Sequence, residues 1–373
     1  MTRVGVSVVD ITPPPGGAMA GFAARQAPAE GAHDALTVRA LVVEDTALVA
    51  VDVIGIDAAL SARVRARSPL PAQNITLAAT HTHGGPVSMP GRLADRADAE
   101  FLRRLETGIL RAIEEAAQAR QPARLYGGCG AEPGFASNRR HAGGPVDRGV
   151  PVLRFDRMDG TVLAYFVSYA CHPVVLGADN LHWTADYPHF LRARLEAASP
   201  GAIAIFATGC AGDVNTGHSA AASLSRARQS DRTYDRARVI GEGVAQAALA
   251  ADLAPLTGAS GAGEGFDSLR FAPREVGDRA DLARRWRAAS QAPGDIHAIW
   301  AEWAEQRMGR EIDPMPARCT ALHWAGARIL GLPGEIFART ALALRHPAPS
   351  NDPLGLLEDQ ILGHGLRCVA RVQ

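Results

Sequence analysis

Four times along this chain a run rich in β-branched and apolar residues stops at side chains able to bind a metal: His81 with His83, then His172, then Asp213, then Glu335. In open α/β sheets, ligand sites gather at the ends of strands, so residues far apart in sequence can meet there. The pattern therefore asks for strands whose ends share one region of the molecule.

The strands themselves are readable. Arg3 to Asp10 alternates with period two and stops at Ile11-Thr12-Pro13-Pro14-Pro15-Gly16-Gly17, a strand entering a rigid loop. Ala40–Val43 and Ala47–Val53, separated by Glu44-Asp45-Thr46, predict a hairpin. Val150–Phe155 and Val162–Tyr169 predict a second one around Asp159-Gly160, and Cys319–Trp324 with Arg328–Leu332 a third. Asn74–Ala79 and Ala202–Ala207 read as further strands.

Between them, Glu100–Gln118 carries Phe101, Leu102, Leu105, Ile109, Leu110 and Ile113 on one helical stripe. Helices are also predicted from Asp186-Tyr187-Pro188 to about Ala198, over Ala237–Leu249, and from Pro333-Gly334-Glu335 to Arg345, with Glu335 in the first turn. The fold class expected is α/β: layers of mixed β-sheet flanked by helices in a single large catalytic domain spanning 1–373. A charged, tryptophan-bearing stretch around 275–315 predicts a helical insertion outside the main sheet, and Ala220–Arg232 a mobile surface loop.

Composition narrows the partners. The 39 basic and 39 acidic side chains cancel, which points away from nucleic acid and from an anionic membrane surface. No run of 18 apolar residues predicts a membrane-spanning helix, and the N-terminus alternates from its start instead of forming a leader's apolar core. Five widely spaced cysteines without a CxxC pair argue against a disulfide framework, and a cytoplasmic location is expected.

For the chemistry, residues two apart in a strand point to one face, roughly 6.6 Å apart at a rise of about 3.3 Å per residue, so His81 and His83 can address one ion or its water. An HxH pair is also a common accident of loops. His172 precedes a proline and is equally readable as a half-buried histidine bonded to a carbonyl. A carboxylate such as Glu335 is favoured in a first helical turn with or without a ligand. Asp213 and Asn215 fit a tight turn as well as a site. Asn138-Arg139-Arg140 is either a solvated cationic cluster or a guanidinium placed to hold a carboxylate or developing oxyanion. Two histidines and a carboxylate with an open position are, taken together, the usual make-up of a catalytic zinc site.

In order along nearly the whole chain, Val8-Val9-Asp10-Ile11-Thr12-Pro13 with Met19-Ala20-Gly21-Phe22, Thr80-His81-Thr82-His83-Gly84-Gly85-Pro86, Ala170-Cys171-His172-Pro173, Ala185-Asp186-Tyr187-Pro188, Gly212-Asp213-Val214-Asn215 and Leu332-Pro333-Gly334-Glu335 resemble the neutral/alkaline ceramidase family. The resemblance implies that His81, His172 and Glu335 are zinc ligands, that His83 faces the substrate or supports the ligands, and that Arg139 is the active-site arginine. It implies hydrolysis of an amide by metal-activated water, with His83 and Arg139 stabilising the charge that develops on the carbonyl oxygen.

The pattern also departs from the family. Asn215 stands where the family has a serine, and no tyrosine follows Glu335, where the family supplies one to the metal. Asp213 or His364 is then the candidate for the vacant position. The expected C-terminal β-sandwich segment does not follow. These departures favour a small-molecule amide smaller or more polar than ceramide; an esterase or lactonase, or a non-catalytic metal- or ligand-binding relative, are the alternatives.

Overall fold

The computed structural model describes residues 2–25, 27–90, 97–219, 230–269, 278–291, 296–306, 315–345 and 367–371. It opens with β1 (Thr2–Asp10), β2 (Gly31–Ala32) and the hairpin β3 (Thr37–Val43) and β4 (Thr46–Val51). Next come α1 (Ala58–Arg67), β5 (Ile75–Ala79), α2 (Ala99–Gln118), β6 (Gln121–Ala131), β7 (Ser137–Asn138), β8 (Gly149–Arg157), β9 (Val162–Tyr169) and β10 (His182–Trp183). Then follow α3 (Tyr187–Ala198), β11 (Ile203–Thr208), β12 (Val214–Asn215), α4 (Tyr234–Leu249), β13 (Ala254–Leu256) and β14 (Gly261–Leu269). The remainder is α5 (Arg279–Ala289), α6 (Ile296–Gln306), β15 (Met315–Trp324), β16 (Ala327–Leu332), α7 (Ala338–Arg345) and β17 (Arg367–Arg371).

One large mixed sheet runs β11-β9-β8-β6-β1-β3-β4-β5, with β13 added to β6. Its pairings are antiparallel except for two, β4 with β5 and β9 with β11. Each parallel pair is joined through a helix, α1 and α3 respectively, because parallel neighbours need a crossover. Parallel strands are covered on both faces, which is why β4 and β5 read as unbroken apolar runs and are buried at every position.

The sheet folds over at its middle. β6 pairs with β1 over three residue pairs only, Thr2 with Ala123 to Val4 with Gln121, but with β8 over nine. The strands at opposite ends of the order, β5 and β11, are thereby brought together, and Thr208 Oγ1 donates to the Thr80 carbonyl just past β5. Between the two halves lies one apolar cluster including Leu41, Leu48, Ala78, Phe155, Phe166 and Ile205, into which the second sheet, β14-β15-β16-β17, contributes Leu322, Trp324 and Ile329. Trp324 Nε1 donates to Thr46 Oγ1 at 2.8 Å, tying the two sheets at a buried point.

Helices cover the outer faces. Of the predicted stripe on α2, Phe101, Leu105, Ile109 and Ile113 are buried while Leu102 and Leu110 are only partly so; with Ala112 and Ala116 the buried face packs on β1, β3 and β4, each large side chain contributing roughly 1.5–3 kcal/mol. Asp98 caps this helix by accepting from Glu100 N at 2.9 Å. On the other half α3 and α4 share a cluster with β8, β9 and β11. The α/β reading with mixed sheet layers flanked by helices is therefore what the chain forms.

The closing seam is polar. Arg192 of α3 donates through both terminal nitrogens to Asp52, just past β4, at 2.9 Å each, and Thr37 adds its N–H and hydroxyl to Asp52 Oδ2 at 2.8 Å each. Arg39 of β3 reaches across to Glu196 and to the Ala204 carbonyl.

Two helices start elsewhere than the sequence reading places them. α4 starts at Tyr234, not Ala237, because Thr233 caps it through Arg236 N at 3.1 Å. α7 starts at Ala338, so Glu335 lies in the loop ahead of it and not in its first turn. The insertion between β14 and β15 is a pair of helices, α5 and α6, whose Trp286 and Trp300 rings meet at 5.5 Å. Residues 220–229 of the expected surface loop, and His364, lie outside the described residues. Among the described residues no helix is long and apolar enough to cross a membrane.

Candidate active site

Past the end of β5 the backbone turns sharply, with His81 at φ 64, a left-handed conformation uncommon outside glycine. His81 N donates to the Val53 carbonyl at 3.0 Å and its Nδ1 to the Ile54 carbonyl at 2.5 Å. The strand spacing expected for His81 and His83 does not survive this turn. Their imidazoles nonetheless meet, with Nε2 atoms 3.3 Å apart.

His172 arrives from the other half of the sheet, just past β9. Its main-chain N–H donates to the Val214 carbonyl at 3.0 Å, and its Nδ1 addresses the carbonyls of Ala211 and, at 3.2 Å, Val214. The His81 and His172 rings meet edge to face at 4.7 Å, and one nitrogen from each of His81, His83 and His172 lies within 4.8 Å of the others. The histidine pair from β5 and the lone histidine from β9 thus converge because the sheet is folded over.

Glu335 completes the group from the loop after β16. Its Oε1 lies 3.7 Å from His81 Nε2, and its Oε2 lies 3.5 Å from His172 Nε2 and 3.4 Å from an Arg139 terminal nitrogen. Arg139 is held by two further bonds, its N–H to the Asp213 carbonyl and its side chain to the Gly212 carbonyl, each 2.8 Å. Its Nε is buried without a hydrogen-bond partner among the described residues.

Asp213 and Asn215 build the walls. Asp213 Oδ2 accepts from Asn138 Nδ2 at 2.9 Å, and its Oδ1 accepts from Ala338 N at 2.8 Å, so both oxygens are committed. The second bond supplies the first turn of α7 with an acceptor from 125 residues away and fixes the loop that carries Glu335. Gly212 allows that contact: a Cβ there would lie 2.2 Å from the Glu335 carbonyl oxygen. Asn215 bonds the His218 carbonyl at 2.7 Å and Gly217 N at 2.9 Å, and so shapes its own loop.

Electrostatics separate the three histidines. A carbonyl can only accept, so His81 and His172 carry their protons on Nδ1 and present Nε2 lone pairs beside the Glu335 carboxylate. Ligating histidines are oriented in this way by a second partner on the far nitrogen. His83 differs: its Nδ1 is buried with no partner among the described residues. An unmatched acceptor is tolerated more readily than an unmatched donor, which favours the tautomer with the proton on Nε2, facing the cluster. Burial above all, with the Arg25 and Arg139 charges adding to it and Glu335 opposing, holds His83 well below the ordinary histidine range, so it is neutral at pH 7. Burial also lowers Arg139, opposed by Glu335.

Two lone-pair nitrogens and a carboxylate converging from three segments suit a divalent ion such as zinc, and the neutral N–H of His83 beside them suits an oxygen that gains negative charge. Of the sequence-derived candidates, His81, His83, His172, Glu335 and Arg139 come together, whereas Asp213 and Asn215 stand behind them. Sequence reasoning does not reach the Ile54 and Ala211 carbonyls, since any residue supplies one. Nor does it reach Arg25, whose Nη1 bonds the His83 carbonyl at 2.8 Å.

Compared with known proteins, residues 2–235 match the family model described as neutral/alkaline non-lysosomal ceramidase, N-terminal. A search of curated protein sequences finds no match. Among solved structures, the chain is similar to a neutral ceramidase from Pseudomonas aeruginosa, with a TM-score of 0.75 and 18% identity over 99% of this chain and 66% of that one. It is also similar to a ceramidase described as complexed with C2, with a TM-score of 0.72, 18% identity and coverage of 99% and 67%. At that identity the likeness is one of fold, and the chain spans about two thirds of the length of these structures.

Proposed function

The chain belongs to the neutral/alkaline non-lysosomal ceramidase family, and from that membership we propose that it is a zinc-dependent hydrolase of an N-acyl amide. The observation that carries the proposal is the meeting of His81 Nε2, His172 Nε2 and the Glu335 carboxylate across the folded sheet.

In this reading His81, His172 and Glu335 hold the ion. When bound, zinc supplies a Lewis acid and a water whose pKa is lowered to about 7. The remaining work belongs to the chain. His83, neutral and carrying its proton on Nε2, donates to the amide carbonyl oxygen as that oxygen becomes negative, a contribution typically worth about 100- to 1,000-fold in kcat. Arg139 has one terminal nitrogen between the Gly212 carbonyl, Glu335 and His172, so it holds the carboxylate in place and adds positive charge on the same side. Asp213 keeps that arrangement from drifting by fixing α7 behind Glu335 and Asn138 beside Arg139.

The residues around Glu335 support a substrate smaller or more polar than ceramide. Beside Glu335, the Arg140 guanidinium lies over Phe337 at 5.2 Å from the ring centroid, and Phe337 is 44% exposed. A cation and an aromatic face at this edge suit a compact, partly polar acyl compound better than two long alkyl chains. Asn215, in place of the family's serine, is a donor and acceptor committed to its own loop.

The test is metal analysis of protein purified without added metal, set against a His81→Ala, His172→Ala double variant, with hydrolysis measured on N-acyl amides of graded chain length and on matched esters. One equivalent of zinc, lost in the double variant together with amide hydrolysis, is the expected result. Equal zinc in both proteins would place the site elsewhere, and turnover of esters alone would replace the amide by the ester reading.

A further inference from the structure

Behind the histidine cluster lie two buried arginines that neither reach the metal position nor face the substrate in the reading above. Arg25 and Arg232 are each 8% exposed, and both face the ring of Phe22, with guanidinium carbons 4.9 and 5.3 Å from its centroid. Arg232 donates to three consecutive carbonyls, Val174 at 2.8 Å, Val175 at 3.2 Å and Leu176 at 2.9 Å, and so secures the segment that follows His172. Arg25 donates through Nη1 to the carbonyls of Ala20 at 2.9 Å and His83 at 2.8 Å, and through Nη2 to Gly177 at 3.1 Å. One planar fork therefore joins three separate segments around His83.

The ring of His83 needs such support from behind. His81 and His172 are oriented by carbonyls on their own Nδ1 atoms, but His83 Nδ1 has no hydrogen-bond partner among the described residues. What touches the His83 ring instead is the segment Arg25 secures. Phe22 meets it edge-on at 5.0 Å, and Gly21, at φ +100, backs so closely onto it that a Cβ would lie 2.5 Å from His83 Cγ. Burying a guanidinium costs free energy that hydrogen bonds must offset, and here the two terminal nitrogens make three, to three different segments.

We infer that Arg25 is a positioning residue for His83: it clamps the His83 main chain between the Ala20 and Gly177 segments and presses Phe22 and Gly21 against the ring, which fixes where Nε2 points. The effect on turnover rests on the proposed role of His83, whereas the effect on the ring itself does not.

Arg25→Lys and Arg25→Ala, prepared with nitrogen-15-labelled histidine, separate the two. In Arg25→Lys the charge remains but the fork is lost. The expected result is a kcat about 10- to 100-fold lower, the scale of a misplacement near 1 Å, with KM within about twofold and bound zinc unchanged. Guanidinium ion added to Arg25→Ala should restore part of the lost kcat. The His83 imidazole signals, assigned by their loss in His83→Asn, should shift or broaden while those of His81 and His172 hold. Unchanged His83 signals in Arg25→Lys, or zinc lost in step with kcat, would overturn the inference; if Arg25→Ala does not fold, Arg25→Lys decides. Absence of amide turnover in the unaltered protein would remove the proposed function and leave the imidazole signals to judge Arg25.

Discussion

The seam that closes the folded sheet and the mouth above it contain the same kinds of side chain, used in opposite ways. At the seam, the Asp52 carboxylate is fully buried and takes four hydrogen bonds from Arg192 and Thr37 at 2.8–2.9 Å. At the mouth, the Glu335 side chain is 47% exposed and approaches His81, His172 and Arg139 at 3.4–3.7 Å, longer than a charge-assisted hydrogen bond. The seam commits both Asp52 oxygens and both Arg192 terminal nitrogens to each other and to Thr37, and so holds the two halves together. The mouth leaves its donors and acceptors pointed at a common centre, the arrangement a ligand completes.

Variants can break this contrast. The largest effect should come at the mouth: His81→Ala or His172→Ala should remove bound zinc and lower hydrolysis by more than the roughly 10- to 100-fold that losing a ligand's outer partner costs, while urea unfolding of metal-free protein shows the fold retained. At the seam, Asp52→Ala strands Arg192 and should cost about 3–5 kcal/mol in urea unfolding, with the folded fraction still binding zinc. If Asp52→Ala lost zinc as readily as His81→Ala, seam and mouth would be one unit.

The seam also has a pH signature. Burial works to raise the Asp52 carboxyl, but the Arg192 charge and the bonds from Arg192 and Thr37 outweigh it and hold the group below the ordinary carboxylate range. A carboxyl lowered by folding stabilises fully above its unfolded value of about 3.9 and loses that contribution as pH falls through its lower folded value. Urea midpoints from pH 7 down to 2 should fall more steeply at the acid end in the unaltered protein than in Asp52→Ala.

Smaller effects sharpen the picture. His83→Ala should lower kcat by about 100- to 1,000-fold with zinc content and urea midpoint retained, which separates donation to substrate from ligation. Smallest is Asp213→Ala: loss of the acceptor at the start of α7 should cost about 0.5–2 kcal/mol and weaken zinc binding through Glu335, read by unfolding and by competition with a chelator.

The local elements were legible because period and turn chemistry act over a few residues. The hairpin at Glu44-Asp45-Thr46 and the Asp159-Gly160 turn appear as expected, and the stripe on α2 is buried at four of its six positions, Leu102 and Leu110 being only partly covered. The folding-over of the sheet was not, because it depends on β6 leaving β1 after three pairs and on the Asp52–Arg192 contact across 140 residues. At the site the residue types were legible and their settings were not. Strand spacing for His81 and His83 gave way to a left-handed turn, and Glu335 sits ahead of its helix because Asp213 reaches the first turn from another loop. Asp213, one of the five strand-end residues that looked alike in the sequence, commits both oxygens to holding the other parts in place.

The left-handed backbone at position 81 sets a conflict between endurance and purpose. A non-glycine residue held there gives up roughly 1–2 kcal/mol that glycine would recover. The buried imidazole and its bond to the Ile54 carbonyl offset that cost, so the turn is held by the same side chain that it aims at the cluster.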